Sequence, residues 1–360
     1  MRIVVNDIAA STGGALSILR DFYEYVKQHD FENEWIFLTG GNYIEETGNV
    51  KVIVMGKVKA SKLEKLKFDL ISGRKFINRL EPDVVFSMQN IITFGVNARQ
   101  IVYVHQSIPF QNIKKFSFLK NEERRLAVYQ YIIGYFIKKS VRKADKVIVQ
   151  TKWMRKAVID KTKILPVKII NVLPNVKIEG YAHLDKCADI NKKEQYIFFY
   201  PTGVGIYKNI KCITEAVTIL NQCGYKDFQI KLTVNDKELE QYHCNSNNII
   251  PVGRLNREDV YKEYLHSTLI FPSYIETFGY PMAEARLMGT IVLASDCPFS
   301  HEVLEGYENA YFFDPFSPAE LAELMKQVMN NTIKKKKIAL KENNKKNGWE
   351  RVYEEVVSQV

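Results

Sequence analysis

The chain of 360 residues is poor in cysteine, and its five cysteines, at positions 187, 212, 223, 244 and 297, are widely spaced with no C-x-x-C among them. An odd, scattered set supports neither a disulfide framework nor a zinc site and fits a reducing compartment. No apolar run reaches the ~18 residues of a membrane span, and Met1-Arg2 leads straight into Ile3-Val4-Val5 with no signal-peptide pattern. The expectation is a soluble, cytoplasmic protein. There is no G-x-G-x-x-G, so a nicotinamide site has little support, and no internal repeat at a solenoid period. What is present is ordinary globular material: 46% hydrophobic, 26% charged and 12% aromatic residues. Cores stop growing near ~250–300 residues, so this length points to two domains.

The formal net charge of +10 is unevenly placed. Residues 51–150 hold 20 Lys and Arg against 7 Asp and Glu, a local +13, and the rest of the chain sums to −3. Such a localised excess is the footprint of an anionic partner, whether phospholipid headgroups, a lipid diphosphate or nucleic acid. Solvated helix faces are the plainer alternative.

Strand-like and helix-like segments alternate throughout, which predicts α/β architecture with parallel sheets. Arg2–Asn6 reads as a strand, the stretch from Ala9 to Gly14 as a turn, and Ala15–Gln28 as a helix with Leu16, Leu19, Phe22, Tyr23 and Val26 on one face. Further strands are predicted at Trp35–Leu38, Val50–Val54, Val84–Ser87, Ile101–Val104 and Val147–Val149. Residues 60–80 read as a helix and 117–143 as one long or broken helix. A second set follows Leu173-Pro174-Asn175, with strands at Tyr196–Tyr200, Ile230–Val234, Asn248–Pro251, Thr268–Pro272, Ile291–Ser295 and Ala310–Phe313. Helices are predicted between them near 209–222, 257–265, 280–289 and 318–330. Residues 177–195 are the predicted linker, and the chain ends in a helix with Trp349, Val352, Tyr353 and Val356 on one side.

The most informative stretch is Pro272-Ser273-Tyr274-Ile275-Glu276-Thr277-Phe278-Gly279-Tyr280-Pro281-Met282-Ala283-Glu284-Ala285. A strand ends at Pro272, a glycine turn follows, and a helix opens with proline in its first turn. A helix N-terminus of this kind favours phosphate, through unpaired amides and the macrodipole. Glu276 and Glu284 flank it eight residues apart. Carboxylates are poor phosphate ligands and good hydroxyl acceptors, so a sugar or ribose beside the phosphate is the natural ligand.

Glu-x7-Glu within E-x-F-G-x-P-x-x-E-A resembles the donor-site signature of retaining glycosyltransferases of the GT-B fold, in particular glycosyltransferase family 4. The resemblance implies two Rossmann-like domains facing a central cleft: 1–178 for the acceptor, 179–335 for the nucleotide-sugar, and a helix in 336–360 returning to the first domain. Tyr207-Lys208-Asn209 resembles the family's K-N element, whose lysine meets the donor diphosphate. Leu173-Pro174-Asn175 resembles its I-P-N-G segment, with Val176 in place of glycine. His105, in His105-Gln106-Ser107 after a buried strand, takes the position of a histidine beside the transferred sugar. Gly13-Gly14 resembles the glycine loop that approaches the diphosphate and acceptor. Val252-Gly253-Arg254 falls where backbone contacts to the base are placed, and reads equally well as a strand-end turn. One departure is the arginine usual before the lysine: Tyr200-Pro201-Thr202-Gly203-Val204-Gly205-Ile206-Tyr207 contains no basic residue, which leaves the diphosphate to Lys208, the amides of Gly203 and Gly205, and the helix at Gly279.

The implied reaction moves a sugar from a nucleotide-sugar, UDP- or GDP-linked, to a glycan or lipid-diphosphate-linked acceptor in bacterial surface polysaccharide assembly. Lys208 and the Gly279 helix end would stabilise the leaving phosphate, Glu276 would hold sugar hydroxyls beside Phe278, Glu284 the ribose, and His105 the sugar. No general base is nominated, because in this family the departing phosphate is described as taking the acceptor proton. No D-x-D is present, and neither a metal nor another cofactor is expected. The +13 segment then suggests a peripheral enzyme at the inner face of the cell membrane, with Lys114–Phe118 and Tyr129–Lys139 docking on anionic lipid. Competing readings are a nucleotide-sugar epimerase, which needs an acid and base pair around the sugar, and a phosphorylase, which usually needs a pyridoxal lysine; neither is visible. A nucleic-acid-binding protein is the non-enzyme alternative, and no recognised motif accompanies the basic stretch.

Overall fold

A computed structural model describes residues 1–174, 176, 196–242, 246–337 and 348–358. The chain divides into two units, Met1–Asn175 with Asn344–Val360, and Val176–Asn343. The predicted linker 177–195 and Asn175 lie outside the described residues.

The first unit holds seven parallel strands: β1 (Arg2–Asp7), β2 (Glu34–Thr39), β3 (Val50–Val54), β4 (Val84–Ser87), β5 (Arg99–Val104), β6 (Lys146–Val149) and β7 (Ile169–Asn171), in the order β3-β2-β1-β4-β5-β6-β7. The second holds six: β8 (Tyr196–Tyr200), β9 (Phe228–Leu232), β10 (Ile249–Pro251), β11 (Thr268–Phe271), β12 (Val292–Ser295) and β13 (Ala310–Phe313), in the order β10-β9-β8-β11-β12-β13. Helices covering both faces of a parallel sheet demand strands that are apolar on both sides. Ile3-Val4-Val5, Val292-Leu293-Ala294 and Leu269-Ile270-Phe271 meet that demand, each being essentially fully buried. In both sheets the strand order reverses once, between β1 and β4 and between β8 and β11, and ligands of such folds bind at the carboxyl ends of the strands at that point.

Several elements differ from the sequence reading. The predicted helices 60–80 and 117–143 each open into a wider π-turn partway, at Phe68–Ser72 and at Val128–Ile133, and the second begins only at Asn121. A glycine follows each π-turn where the helix presses on a neighbour: a Cβ on Gly73 would lie 2.8 Å from the Thr93 methyl, and one on Gly134 2.9 Å from Pro109. The helices Lys152–Thr162, Asp236–Glu240 and Pro298–Val303 and the strand β7 were not predicted. Lys152–Thr162 buries only Met154, Val158 and Thr162, a stripe too narrow to show among charged residues, although the Thr151 side chain caps it by accepting from the Met154 amide.

The C-terminal helix Gly348–Val357 packs into the first unit. Val352 and Val356 are fully buried there, the Trp349 ring sits 5.4 Å from Phe22, and the Tyr353 hydroxyl donates to Asp30 Oδ2 at 3.0 Å. Arg99 donates to the carbonyls of Ser358 and Glu355 at 2.8 and 3.2 Å, holding the last turn where cations are favoured. No described helix is long and apolar enough to cross a membrane.

Candidate functional site

In the second unit, the loops leaving β8 and β11 meet at the switch point. The first passes Gly203 and Gly205 into a short turn, Ile206–Lys208, and Asn209, left-handed at φ 60°, starts the helix Ile210–Gln222. The Asn209 amide donates to the carbonyls of Pro272 at 3.1 Å and Pro315 at 2.7 Å, so one side chain ties together the loops after β8, β11 and β13. Ser295, ending β12, donates to the Ser273 carbonyl at 2.5 Å. The Tyr200 hydroxyl donates to the Lys208 carbonyl at 3.1 Å, and the Tyr274 amide to the Tyr207 carbonyl at 3.1 Å. This lattice fixes the two backbones that carry Lys208 and Glu276.

Lys208 Nζ donates to Glu276 Oε1 at 2.5 Å, and Ser273 Oγ lies 2.8 Å from the same oxygen. Both side chains are mostly buried but reach solvent. Burial works against the lysine's charge, yet Glu276 foremost, with Tyr200 and Tyr207, outweighs it and holds the Lys208 pKa above its ordinary value. Lys208 is therefore a fixed cation at neutral pH, and its Nζ also lies 5.4 Å from the centre of the Tyr207 ring.

Glu276 leads through the buried Phe278 to Gly279, whose φ of 90° is the left-handed conformation that glycine alone adopts readily. The helix Tyr280–Leu287 follows, with proline in its first turn, no side-chain cap and no acidic residue there, which leaves its positive end uncompensated. One turn in, Glu284 Oε2 accepts from the Tyr264 hydroxyl at 3.1 Å, and Arg257 stands 4.0 Å away. Burial raises the Glu284 pKa, against the pull of Tyr264 and Arg257. A Cβ on Gly203 would meet nothing within 4 Å, so its backbone is open to approach.

The structure thus brings Lys208, Glu276, Phe278, Gly279 and Glu284 onto the loops and helix of one switch point. Arg254 is exposed in the loop after β10 and makes no ion pair among the described residues. Ser273, Asn209, Tyr264 and Arg257 escaped the sequence reading; Ser273 and Asn209 lie inside the quoted motifs, whereas nothing local distinguishes Tyr264 or Arg257 from other helical residues.

In the first unit, Gly13 and Gly14 begin the helix Gly13–His29, which has neither a side-chain cap nor an acidic residue in its first turn. Gly13 has φ 61°, and a Cβ on either glycine would meet nothing within 4 Å. His105 is half-buried at the end of β5. Asn90 Oδ1 accepts its backbone N–H at 2.7 Å and Asn90 Nδ2 lies 3.2 Å from its Nε2. Burial pushes the imidazole down to about 4, so the ring is neutral at physiological pH. Beside these residues stands a charged group that the sequence reading missed. Asp7, 2% exposed at the end of β1, is pushed up to about 7 by burial, against the pull of Lys65, the Ala10 amide and Lys59. Lys65 is paired with the buried Asp69, which also accepts from Gln89 Nε2 at 3.0 Å.

Residues 185–347 match the family described as Glycosyl transferases group 1. The chain is 26% identical over 302 residues, 74% of its length and 78% of the relative's, to the O-antigen chain mannosyltransferase RfbU of Salmonella typhimurium. Among solved structures, it resembles sucrose-phosphate synthase from Thermosynechococcus elongatus with a TM-score of 0.66 at 16% identity, over 98% of this chain and 94% of that one. It resembles HepE of Anabaena, solved with UDP and glucose, with a TM-score of 0.63 at 16% identity, over 92% and 90%. At these identities the structural likeness speaks for the fold, and it agrees with the two parallel sheets described above. Residues 185–347 carry a glycosyl transferases group 1 domain, and the chain has a GT-B architecture of two Rossmann-like units.

Proposed function

We propose that this protein is a retaining glycosyltransferase that moves a sugar from a UDP- or GDP-sugar to a glycan or lipid-diphosphate-linked saccharide during assembly of a bacterial surface polysaccharide such as a capsule or O-antigen. The observation that carries the reading is the Lys208–Glu276 pair across the β8/β11 switch point. In the structure each charge satisfies the other. A bound nucleotide-sugar would separate them, its diphosphate taking the ammonium and its sugar hydroxyls the carboxylate.

As the bond to the anomeric carbon breaks, charge grows on the leaving phosphate. Lys208 and the uncapped end of Tyr280–Leu287 face that charge already oriented, and such preorganised donors are worth roughly 10²–10³ in rate each. Glu284, held by Tyr264, would accept from the ribose. The acceptor oxygen attacks the face the phosphate leaves, and the phosphate takes its proton, so configuration is kept. The similarity to an O-antigen mannosyltransferase supports the polysaccharide setting.

A thermal-shift series with UDP-, GDP-, ADP- and dTDP-sugars tests the donor site, since a bound donor raises the apparent stability by mass action. At least one should raise the melting temperature, and no shift with any of them overturns the reading. NMR of the product anomer then tests retention.

The acceptor's lipid carrier would place the protein at the inner face of the cell membrane. Leu119 is 91% exposed, and Phe118, Tyr131, Ile132 and Tyr135 are exposed with it, Phe118 and Tyr131 with ring centres 5.7 Å apart. Lys120, Arg124 and Arg125 belong to the same stretch. Aromatic groups among basic ones suit an anionic bilayer surface. Co-sedimentation with phosphatidylglycerol vesicles at low salt should occur and should weaken with salt; a protein that ignores the vesicles at low salt sinks the membrane assignment.

A further inference from the structure

The strand β5 ends at Val104, which pairs with Val149 of β6, while on its other side the pairing with β4 stops at Val102. The His105 backbone N–H therefore lies past the ladder and needs an acceptor from elsewhere. Asn90 supplies it, its Oδ1 accepting from that N–H at 2.7 Å. Asn90 belongs to the loop after β4, and three contacts fix this loop. The Met88 amide donates to the Asn6 carbonyl at 3.0 Å, Gln89 Nε2 to Asp69 Oδ1 at 3.0 Å, and Ser87 Oγ to the Ile91 carbonyl at 2.5 Å. The Asn90 backbone is left-handed at φ 70°, a conformation that Gly, Asn and Asp adopt more readily than other residues.

The same side chain settles the state of the imidazole. A backbone N–H can only donate, so the atom of Asn90 that faces it is the oxygen, and the other arm of the amide is an NH2 group. That arm lies 3.2 Å from His105 Nε2. Two N–H groups cannot face each other, so Nε2 is the bare, accepting nitrogen. Burial holds the ring neutral at physiological pH, and a neutral imidazole keeps one proton, which is then on Nδ1. Nothing on the far side opposes this, since Nδ1 has no hydrogen-bond partner among the described residues and the Tyr103 ring packs at 5.8 Å between centres. In water a neutral histidine favours the proton on Nε2, so the loop reverses the ordinary preference. Of the three residues suited to φ 70°, only Asn does this: Gly has no side chain to reach the ring, and Asp would offer Nε2 an acceptor and call the proton there.

We propose that Asn90 is a positioning residue that fixes His105 as the Nδ1–H tautomer, so that Nδ1 is a hydrogen-bond donor and Nε2 is withheld from service as a base. The consequence for catalysis rests on the proposed transfer. With Nε2 held by Asn90 and Nδ1 already protonated, His105 cannot take the acceptor's proton, which agrees with giving that proton to the leaving phosphate. The tautomer itself rests on the first unit alone.

The full chain, labelled with nitrogen-15 at histidine, is read at neutral pH by long-range proton–nitrogen correlation, and the signals lost in His105→Gln identify this ring among the six histidines. Nδ1 should be the pyrrole-type nitrogen and Nε2 the pyridine-type one; a proton on Nε2, or on both, overturns the proposal. Asn90→Gly, which suits the left-handed backbone, should let the proton return to Nε2, and Asn90→Asp should draw it there. A parent-like ring in both folded variants overturns the role of Asn90. In initial-rate assays with a nucleotide-sugar that raises the melting temperature, Asn90→Asp should slow transfer about three- to tenfold, the worth of one hydrogen bond. An unchanged rate overturns the link to transfer. If no nucleotide-sugar binds, the transfer reading fails while the nitrogen signals still decide the tautomer, so the two failures are distinct.

Discussion

The two switch points share a topology and differ in how their polar groups are satisfied. At β8/β11 the charges are paired one to one, Lys208 with Glu276, and the backbone around them is open at Gly203 and uncapped before Tyr280. At β1/β4 the charges sink into the unit as Asp7, Lys65 and Asp69, and two amide oxygens and an imidazole nitrogen have no hydrogen-bond partner among the described residues. The contrast teaches that the same sheet reversal can hold its charges at the surface as a pair or bury them among packed side chains. A mostly buried cation that reaches solvent beside a helix end suits a ligand that carries charge and leaves with it.

The largest effects should fall on the first kind of site. Lys208→Ala and Glu276→Ala should each cut transfer by roughly 10²–10³-fold in initial-rate assays while the melting temperature stays near that of the parent. Near-normal turnover in both would erase the chemical distinction between the two switch points. Gly279→Ala comes next. It forces an L-residue to φ 90° and brings its Cβ to 2.6 Å from the Met282 methyl, the movable end of a flexible side chain. A cost of about 1–2 kcal/mol follows, read as a lower melting temperature together with weaker nucleotide-sugar binding. A neutral result would mean that the helix end tolerates a shifted entry and is less fixed than its geometry implies.

The smallest effects should come from pH, with opposite signs at two residues of the first unit. Asp7 titrates near 4 in the unfolded chain and at about 7 in the folded one. The native state therefore holds more protons between those values, and Asp7's contribution to stability is full below pH 4 and lost as pH rises through 7. Asp7→Asn should melt like the parent at pH 4 and a few degrees higher at pH 7 to 8. His105 is the reverse, since its pKa falls to about 4 on folding. Its stabilising neutral form is lost as pH drops from 6.5 to 4, so His105→Gln should gain on the parent only in that acid range. Melting curves of both variants across pH 4 to 8 would show the crossing, and parallel curves would mean that neither group is desolvated as described.

How legible each site was in the sequence follows the same division. Lys208 and Glu276 could be nominated because each sits in a short contiguous segment whose strand, turn and helix signals are local, and Gly279 with Pro281 marks the helix start directly. The core strands were equally readable, since a parallel strand covered on both faces must be a continuous apolar run, as in Ile3-Val4-Val5. Lys152–Thr162 escaped because its buried stripe is one residue wide, and the π-turns because a helix widened by packing keeps nearly the same periodicity. Asp7, Lys65, Asp69 and Gln89 carry no signal at all, for they lie on separate segments and meet only when β1, β4 and the helical stretch 62–78 assemble.

Composition, strand runs and the Glu276–Glu284 segment thus determined by themselves that this is a two-part α/β chain with a glycine turn and a proline-led helix start after Glu276, because those features depend on neighbours in sequence. Only the tertiary structure decided that Lys208 is neutralised by Glu276, that Glu284 leans on Tyr264, and that four buried side-chain atoms in the first unit have no hydrogen-bond partner among the described residues. Desolvation and pairing depend on what surrounds a side chain in space, and 68 residues separate Lys208 from its partner.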